Sequence, residues 1–153
     1  MSSKKSPLDN LVDIGAFKSH IADARELDVH ISRAKERIKD ASLAGISQSG
    51  KFTSLYDAAH ALCMAAIKMH GYRPTDERGH RQGLFQVIDQ AVPAAASVKP
   101  VLLHAHMTRN VMEYDGSLLD LSEGEIQALQ QQLANLLEEV EYNYKALIRR
   151  KPF

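Results

Sequence analysis

The amino-acid sequence predicts an all-α fold, an up-and-down bundle of about five helices. Two observations lead to this prediction. Apolar residues recur at spacings of three and four along most of the chain, which places them on one face of a helix. The segments between these runs are short and contain Gly or Pro, so consecutive helices should pack as antiparallel neighbours. No segment has a convincing strand pattern.

The first predicted helix covers residues 19–44, and Gly45 and Gly50 interrupt the pattern after it. Its apolar face consists of Ile21, Ala24, Leu27, Ile31, Ala34 and Ile38. The second helix begins in the stretch FTSLYD, where Ser54 and Asp57 resemble a capping box, and it ends at Gly71. This helix is apolar on nearly every side, which is typical of a buried helix, so we expect it to lie at the centre of the bundle.

The remaining three helices have clear boundaries. The third follows Pro74, with Thr75 as its N-cap, and the fourth covers residues 98–114. The fifth opens with a capping box formed by Ser122 and Glu125. The apolar stripe of the third helix is Leu84, Phe85, Ile88 and Val92, and that of the fifth is Ile126, Leu129, Leu133, Leu136, Val140, Tyr144 and Leu147. The residues expected to be buried are Ala59, Leu62, Ala66, Leu84, Ile88, Leu129 and Leu133.

Composition and charge limit the class of protein. Residues 1–17 read as a flexible N-terminal arm and residues 18–150 as a single helical-bundle domain within a chain of 153 residues. Lys plus Arg and Asp plus Glu both number 19, which argues against binding nucleic acid by bulk charge but leaves room for a local basic patch. The single cysteine, the absence of a signal-like start and the absence of a membrane-length apolar run predict a cytoplasmic protein.

The fourth helix carries an unusual polar ridge, which we define as His106, Arg109, Asn110 and Glu113. At about 100° per residue, the ridge shares its sector with Leu102 and lies between two apolar flanks. One flank is Val98, Val101, Ala105, Thr108 and Met112, and the other is Leu103, Met107, Val111 and Tyr114. Two covered flanks would place the ridge in a crevice or at a subunit interface. The simpler interpretation is an ordinary surface pair of Arg109 and Glu113, with Asn110 and Tyr114 bonded to nearby backbone.

Several stretches of the chain together resemble the HEPN superfamily of helical domains, which are associated with nucleotide and RNA binding. The stretches are SLYDAAHALCMAAIKMHGYRP, RGHRQGLF and RNVMEYDG, and they span residues 54–116. The matching pieces are Tyr56, Ala58, Ala61, Gly71, the pair Gly79 and His80, the pair Arg109 and Asn110, and the pair Tyr114 and Asp115. The resemblance implies a bundle of four or five helices and a homodimer.

The resemblance also bears on activity. Active HEPN ribonucleases carry an Arg, a polar residue that is often Asn, and a His a few residues later; here Arg109 and Asn110 are present, but Tyr114 stands where the His could first occur. A tyrosine with a pKa of about 10 is a poor base at neutral pH. We therefore expect a module that binds nucleotide, RNA or a partner protein, without efficient catalysis. The branch with Tyr-Asp at this point implies a toxin-antitoxin or defence context and a nucleotidyltransferase-type partner.

Two alternatives remain open from the sequence. One is a metal-independent ribonuclease that uses Arg109 and Asn110, with Tyr114 or His106 as the further catalytic candidate. The other is a purely structural helical adaptor. The predicted ligand-binding residues are Arg109, Asn110, Glu113, Tyr114, His80 and Arg81. His80 and Arg81 are included because a helix start with basic neighbours can hold phosphate, although a solvated turn would have the same sequence. The sequence contains no metal or cofactor motif, and Cys63 reads as a packing residue.

Overall fold

In the computed structural model, the described residues are 15–75, 80–115 and 122–150. They form six α-helices, one 3-10 turn at Pro93–Ala95 and two short strands, so the all-α prediction is confirmed. The strands are β1 (Phe17–Ser19) and β2 (Tyr72–Pro74). The helices are α1 (Ala24–Asp40), α2 (Gln48–Met69), α3 (His80–Gln86), α4 (Ile88–Ala91), α5 (Val98–Asp115) and α6 (Glu123–Arg150).

Helix α2 lies at the centre of the bundle, as its all-round apolar sequence predicts. It packs against α1, α3, α4, α5 and α6. Its alanines allow these neighbours to approach closely, and the Cys63 thiol is fully buried among them, where burial raises its pKa. All seven residues that were expected to be buried are buried, namely Ala59, Leu62, Ala66, Leu84, Ile88, Leu129 and Leu133.

The start of α1 differs from the prediction. The helix begins at Ala24, where the Asp23 side chain accepts a hydrogen bond from the Glu26 backbone N–H at 2.8 Å. Ile21 therefore precedes the helix and is 94% exposed, although its spacing placed it on the apolar face. The helix starts where Asp23 caps it, although the apolar repeat begins earlier in the sequence. It ends at Asp40, so the predicted range 19–44 was too long at both ends.

The start of α2 also differs. Ser47 is the N-cap, and its hydroxyl accepts a hydrogen bond from the Gly50 N–H at 3.0 Å. Ser54 and Asp57 therefore lie inside the helix and do not form a capping box at its start. Gly50 does not break the helix. A Cβ added there would come within 2.9 Å of the Ile46 side chain, so the glycine lets Ile46 fold back over the first turn.

Strands β1 and β2 form a two-stranded antiparallel sheet that the sequence did not predict. Phe17 pairs with Pro74 and Ser19 with Tyr72. The Thr75 hydroxyl lies 2.9 Å from the Gly15 carbonyl and 3.1 Å from the Ala16 carbonyl and donates to them, so Thr75 holds the two segments together. The helical turn that Thr75 was predicted to cap would begin in residues 76–79, which lie outside the described residues. The buried Phe17 side chain is part of the core although Phe17 was predicted to belong to the flexible arm, and residues 1–14 of that arm lie outside the described residues.

The third predicted helix is divided into α3, α4 and the 3-10 turn, although its apolar stripe is buried as predicted. Pro93 begins the 3-10 turn that follows α4. The capping of α6 agrees with the prediction, because the Glu125 N–H donates to the Ser122 hydroxyl at 3.1 Å. Helix α5 covers Val98–Asp115, within one residue of the predicted range 98–114, and residues 116–121 lie outside the described residues.

Candidate functional site

Tyr56 is the aromatic centre of the site where α2, α3 and α5 meet. It is only 1% exposed, and its ring packs between side chains of all three helices. The Phe85 ring stands edge-on to it at a centroid distance of 5.8 Å, and the His106 ring is stacked at 6.4 Å. Phe52, one turn earlier on α2, completes the aromatic cluster at 6.1 Å. The Tyr56 ring is therefore held rigidly in the core.

Two guanidinium groups lie against the ring of Tyr56. The Cζ atom of Arg109, on α5, is 4.9 Å from the ring centroid, and that of Arg81, on α3, is 5.5 Å away. Both distances are within the range of a cation–π interaction. We call this cluster the Tyr56 site and define it as Tyr56, Arg81, His106, Arg109, Asn110 and Glu113. It concentrates two cations at one point of a chain whose formal net charge is zero.

His106 links the aromatic ring to the polar ridge. Its Nδ1 atom lies 2.9 Å from the Tyr56 hydroxyl, and its Nε2 atom lies 3.4 Å from the Asn110 side-chain nitrogen. Either imidazole tautomer satisfies both contacts, because the hydroxyl can donate or accept and the Asn110 amide can present its nitrogen or its oxygen. Burial lowers the pKa of His106, and the charges of Arg81 and Arg109 lower it further. The imidazole is therefore neutral at neutral pH.

The Tyr56 hydroxyl stays protonated in this environment. Burial raises its pKa above the usual value, while the hydrogen bonding and charge of Arg81 and the charge of Arg109 act in the opposite direction. The net shift is upward because a phenolate would lie in the apolar interior between α2 and its neighbours. Tyr56 consequently acts as a neutral hydrogen-bonding group and an aromatic surface for the two arginines.

Arg109 is only partly paired. Its Nη2 atom donates to the Glu113 carboxylate at 3.2 Å, one turn further along α5, and this carboxylate belongs to a residue whose side chain is 58% exposed. Its Nη1 atom is buried and has no hydrogen-bond acceptor among the described residues. A buried donor without an acceptor is costly to leave unpaired. This unpaired guanidinium nitrogen is the main chemical feature of the site.

The structure brings together most of the residues that the sequence singled out. Arg81, Arg109, Asn110 and Glu113 meet around Tyr56, and the side chains of His80 and Tyr114 lie outside the described part of the structure. Tyr56 matches the family pattern, but the sequence did not predict it as a site residue. A polar aromatic residue in an otherwise apolar helix was the available signal for it.

The two flanks of the ridge are not equivalent. Leu102, which shares the sector of the ridge, is fully buried, as are Val98 and Ala105 on the first flank. On the second flank Met107 is 66% exposed, so the described residues bury the first flank more fully than the second. The ridge therefore runs from the buried core at Leu102 out to the exposed Glu113.

A second charged cluster lies at the other end of α2, around Lys68. The Lys68 side chain is 10% exposed, and its Nζ atom contacts Glu26 Oε1 at 2.8 Å and His30 Nε2 at 2.9 Å. His20 in turn contacts Glu26 at 2.9 Å. We call these four residues the Lys68 cluster. Each of its charged groups has an acceptor or donor inside the chain.

Metal and membrane chemistry are not indicated in the described residues. They contain no group of three or more His, Cys, Asp or Glu side chains arranged to hold a metal ion. No described helix combines the length and apolar character needed to cross a bilayer.

Comparison with known proteins gives no relative: no protein-family model, no curated protein and no solved structure matches the chain. The chemistry of the Tyr56 site is therefore the basis for assigning a function.

Proposed function

We propose that this chain is a HEPN-like module that binds a phosphate-bearing ligand, a nucleotide or RNA, at the Tyr56 site without efficiently cleaving it. One observation carries the proposal: Arg109 lies over a buried aromatic ring with its Nη1 atom unpaired, and Arg81 lies beside the same ring. Guanidinium groups bind phosphate through paired N–H donors, and partial burial strengthens these bonds. The order of motifs that resembles the HEPN superfamily supports the same class of ligand.

The geometry favours recognition of phosphate over recognition of a base. Base recognition in single strands relies on exposed aromatic rings on which bases stack. Tyr56 is buried, and Phe85 is fully buried beside it, so neither ring can accept a base. We therefore expect binding that depends on phosphate and salt and discriminates little between bases.

Poor catalysis follows from the same contacts. Both ring nitrogens of His106 are already engaged, by Tyr56 and by Asn110. The pKa of Tyr56 is raised, so its hydroxyl is a weaker acid than a free tyrosine. Cleavage at an RNA 2′-hydroxyl needs a group that takes a proton and another that returns one. In the Tyr56 site neither His106 nor Tyr56 is free to take or return that proton.

The binding proposal can be tested by fluorescence anisotropy with a short labelled RNA and with a labelled adenine nucleotide. Arg109→Ala should weaken binding at least tenfold, equal to about 1.4 kcal/mol, because it removes the unpaired donor. Arg149→Ala is the matched control, since Arg149 is an exposed arginine at the end of α6. Equal affinities for wild type and Arg109→Ala would refute the proposal.

A second candidate function is a metal-independent ribonuclease using Arg109 and Asn110, with His106 as base. One observation favours it: the lowered pKa keeps the His106 imidazole in its neutral, base-competent form beside Arg109. Labelled RNA incubated with purified wild type should stay intact under our proposal. If wild type cuts RNA and His106→Ala does not, while the exposed His104→Ala still does, the ribonuclease function replaces the binding function.

The homodimer remains part of the proposal. Its support is the exposed second flank of α5, where Met107 and Val111 present apolar surface next to the ridge. Sedimentation should give a dimer for wild type and a shift toward monomer for Met107→Glu, and a monomeric wild type would contradict this part.

The toxin-antitoxin or defence context and a nucleotidyltransferase-type partner come from the HEPN resemblance, and an adjacent nucleotidyltransferase gene would support them.

A further inference from the structure

We infer that the Tyr56 site selects a phosphate monoester, such as the terminal phosphate of a nucleotide or of an RNA end, over the phosphodiester links inside a strand. Arg81 is the residue that makes this selection. The inference rests on the proposed function, because it assumes that phosphate binds at Arg109.

The first argument is the number of cations. Arg81 and Arg109 reach the same ring from two different helices, with their guanidinium carbons 5.5 Å and 4.9 Å from its centroid. A phosphodiester carries one negative charge, whereas a phosphate monoester carries about 1.5 to 2 at neutral pH. One guanidinium balances a diester, but a monoester is balanced only when both take part. The second cation therefore favours the monoester.

The second argument is access. The unpaired Nη1 atom of Arg109 is buried, so a ligand oxygen must enter the site to reach it. An internal phosphodiester has only two unsubstituted oxygens, and the sugars on its other two oxygens hinder its approach to a buried donor. A terminal phosphate has three unsubstituted oxygens and only one bulky substituent. The recessed position of Nη1 therefore favours a chain end or a free nucleotide.

The Glu113 carboxylate indicates the position beside Arg109 where the ligand phosphate would bind. Its carboxylate already occupies the Nη2 side of Arg109 at 3.2 Å, as an anion supplied by the chain itself. Because the Glu113 side chain is 58% exposed, it can turn into solvent when a ligand takes its place. The displaced carboxylate stays close to the site, so Glu113 lowers the affinity for both ligands and repels the more highly charged monoester at least as strongly as the diester.

The experiment compares adenosine monophosphate, a monoester, with cyclic adenosine monophosphate, a diester of similar size. Titrations on wild type should show at least tenfold tighter binding of the monoester. Arg81→Gln should reduce that preference to less than threefold, and Glu113→Gln should strengthen binding of both nucleotides without reducing the preference for the monoester. A second pair of probes, one RNA sequence with and without a 5′-phosphate, should give the same ranking and tests access by a chain end.

The outcomes separate this inference from the proposed function. If both nucleotides bind equally and both depend on Arg109, phosphate binding stands and the monoester selection is overturned. If Arg81→Gln keeps the full preference, the role of Arg81 is overturned. If wild type binds none of the four probes, or if Arg109→Ala leaves their binding unchanged, the proposed function fails and this inference fails with it.

Discussion

The Tyr56 site and the Lys68 cluster are both built on α2, yet they treat a partly buried cation in opposite ways. Lys68 contacts a carboxylate and an imidazole, and His20 contacts the same carboxylate. Within the described part of the chain, Arg109 contacts one exposed carboxylate and keeps one buried nitrogen without an acceptor. The first arrangement is closed, since its charges are balanced within the chain. The second is open, since part of its hydrogen-bonding capacity is left for another molecule.

The difference indicates which cluster serves stability and which serves binding. Although burial alone would raise the pKa of Glu26, hydrogen bonds from Lys68 and His20 hold it below its usual value, so the Lys68 cluster favours the charged carboxylate. That cluster connects α1, α2 and the end of β1. At the Tyr56 site the carboxylate of Glu113 is 58% exposed, compared with 30% for the Glu26 side chain. We therefore expect substitutions at Lys68 to affect folding and substitutions at Arg109 to affect binding.

The largest expected effect comes from breaking the helix that both regions share. Leu62→Asp would place an unpaired charge at a fully buried position of α2, which should cost about 4 kcal/mol or more and abolish cooperative unfolding. Ile21→Asp is the control, because Ile21 is an exposed apolar residue, and its melting temperature should equal that of wild type. Thermal melts followed by circular dichroism measure both, and an unchanged melt for Leu62→Asp would contradict the fold.

The next effect separates the two clusters by stability. Lys68→Ala should lower the free energy of unfolding by about 1–3 kcal/mol, because Glu26 and His30 lose their central partner. Arg109→Ala should cost under about 1 kcal/mol, since it removes a partly exposed ion pair and one cation–π contact. Urea unfolding of the two variants gives both values. Equal losses would remove the distinction between a closed and an open cluster.

The smallest expected effect is a dependence on pH. Burial is the main cause that lowers the pKa values of His30 and His106. In the unfolded chain these imidazoles take up protons near their ordinary pKa of 6.5, whereas in the folded chain they do so only at lower pH. Stability should therefore fall as pH drops below that value, well before Glu26 loses its contribution below 4.5. His106→Gln should flatten the decline between about pH 7.5 and about pH 5.5. An identical decline in wild type and His106→Gln would show that His106 does not contribute.

The apolar stripe of α6 was predictable because burial of a helix face leaves a repeat in the sequence, as at Leu129 and Leu133. The pairing of β1 with β2 was not predictable in this way. Each strand has three residues, too few for an alternating pattern, and their pairing depends on contacts such as that of Phe17 with Pro74. The starts of α1 and α2 were missed because each is decided by one capping side chain, Asp23 or Ser47, and not by the apolar period.

The site was predictable only in part, for a related reason. The ridge on α5 is visible in the sequence because its members share one helix face. Its meeting with Tyr56 depends on contacts such as the 2.9 Å one to His106, fifty positions further along the chain. Helical periodicity describes which face is apolar but not which side chain lies opposite on another helix. The role of Tyr56 could therefore be recognised only from the packed structure.

The central claim is that Arg109 serves binding while Lys68 serves folding, and one measurement tests it directly. It is the rise in melting temperature caused by a saturating amount of the 5′-phosphorylated RNA, compared among wild type, Arg109→Ala and Lys68→Ala. We predict that Lys68→Ala melts at a lower temperature than wild type but keeps the ligand-induced rise. Arg109→Ala should melt close to wild type and lose the rise. An undiminished rise in Arg109→Ala, or a rise lost in Lys68→Ala alone, would contradict the account.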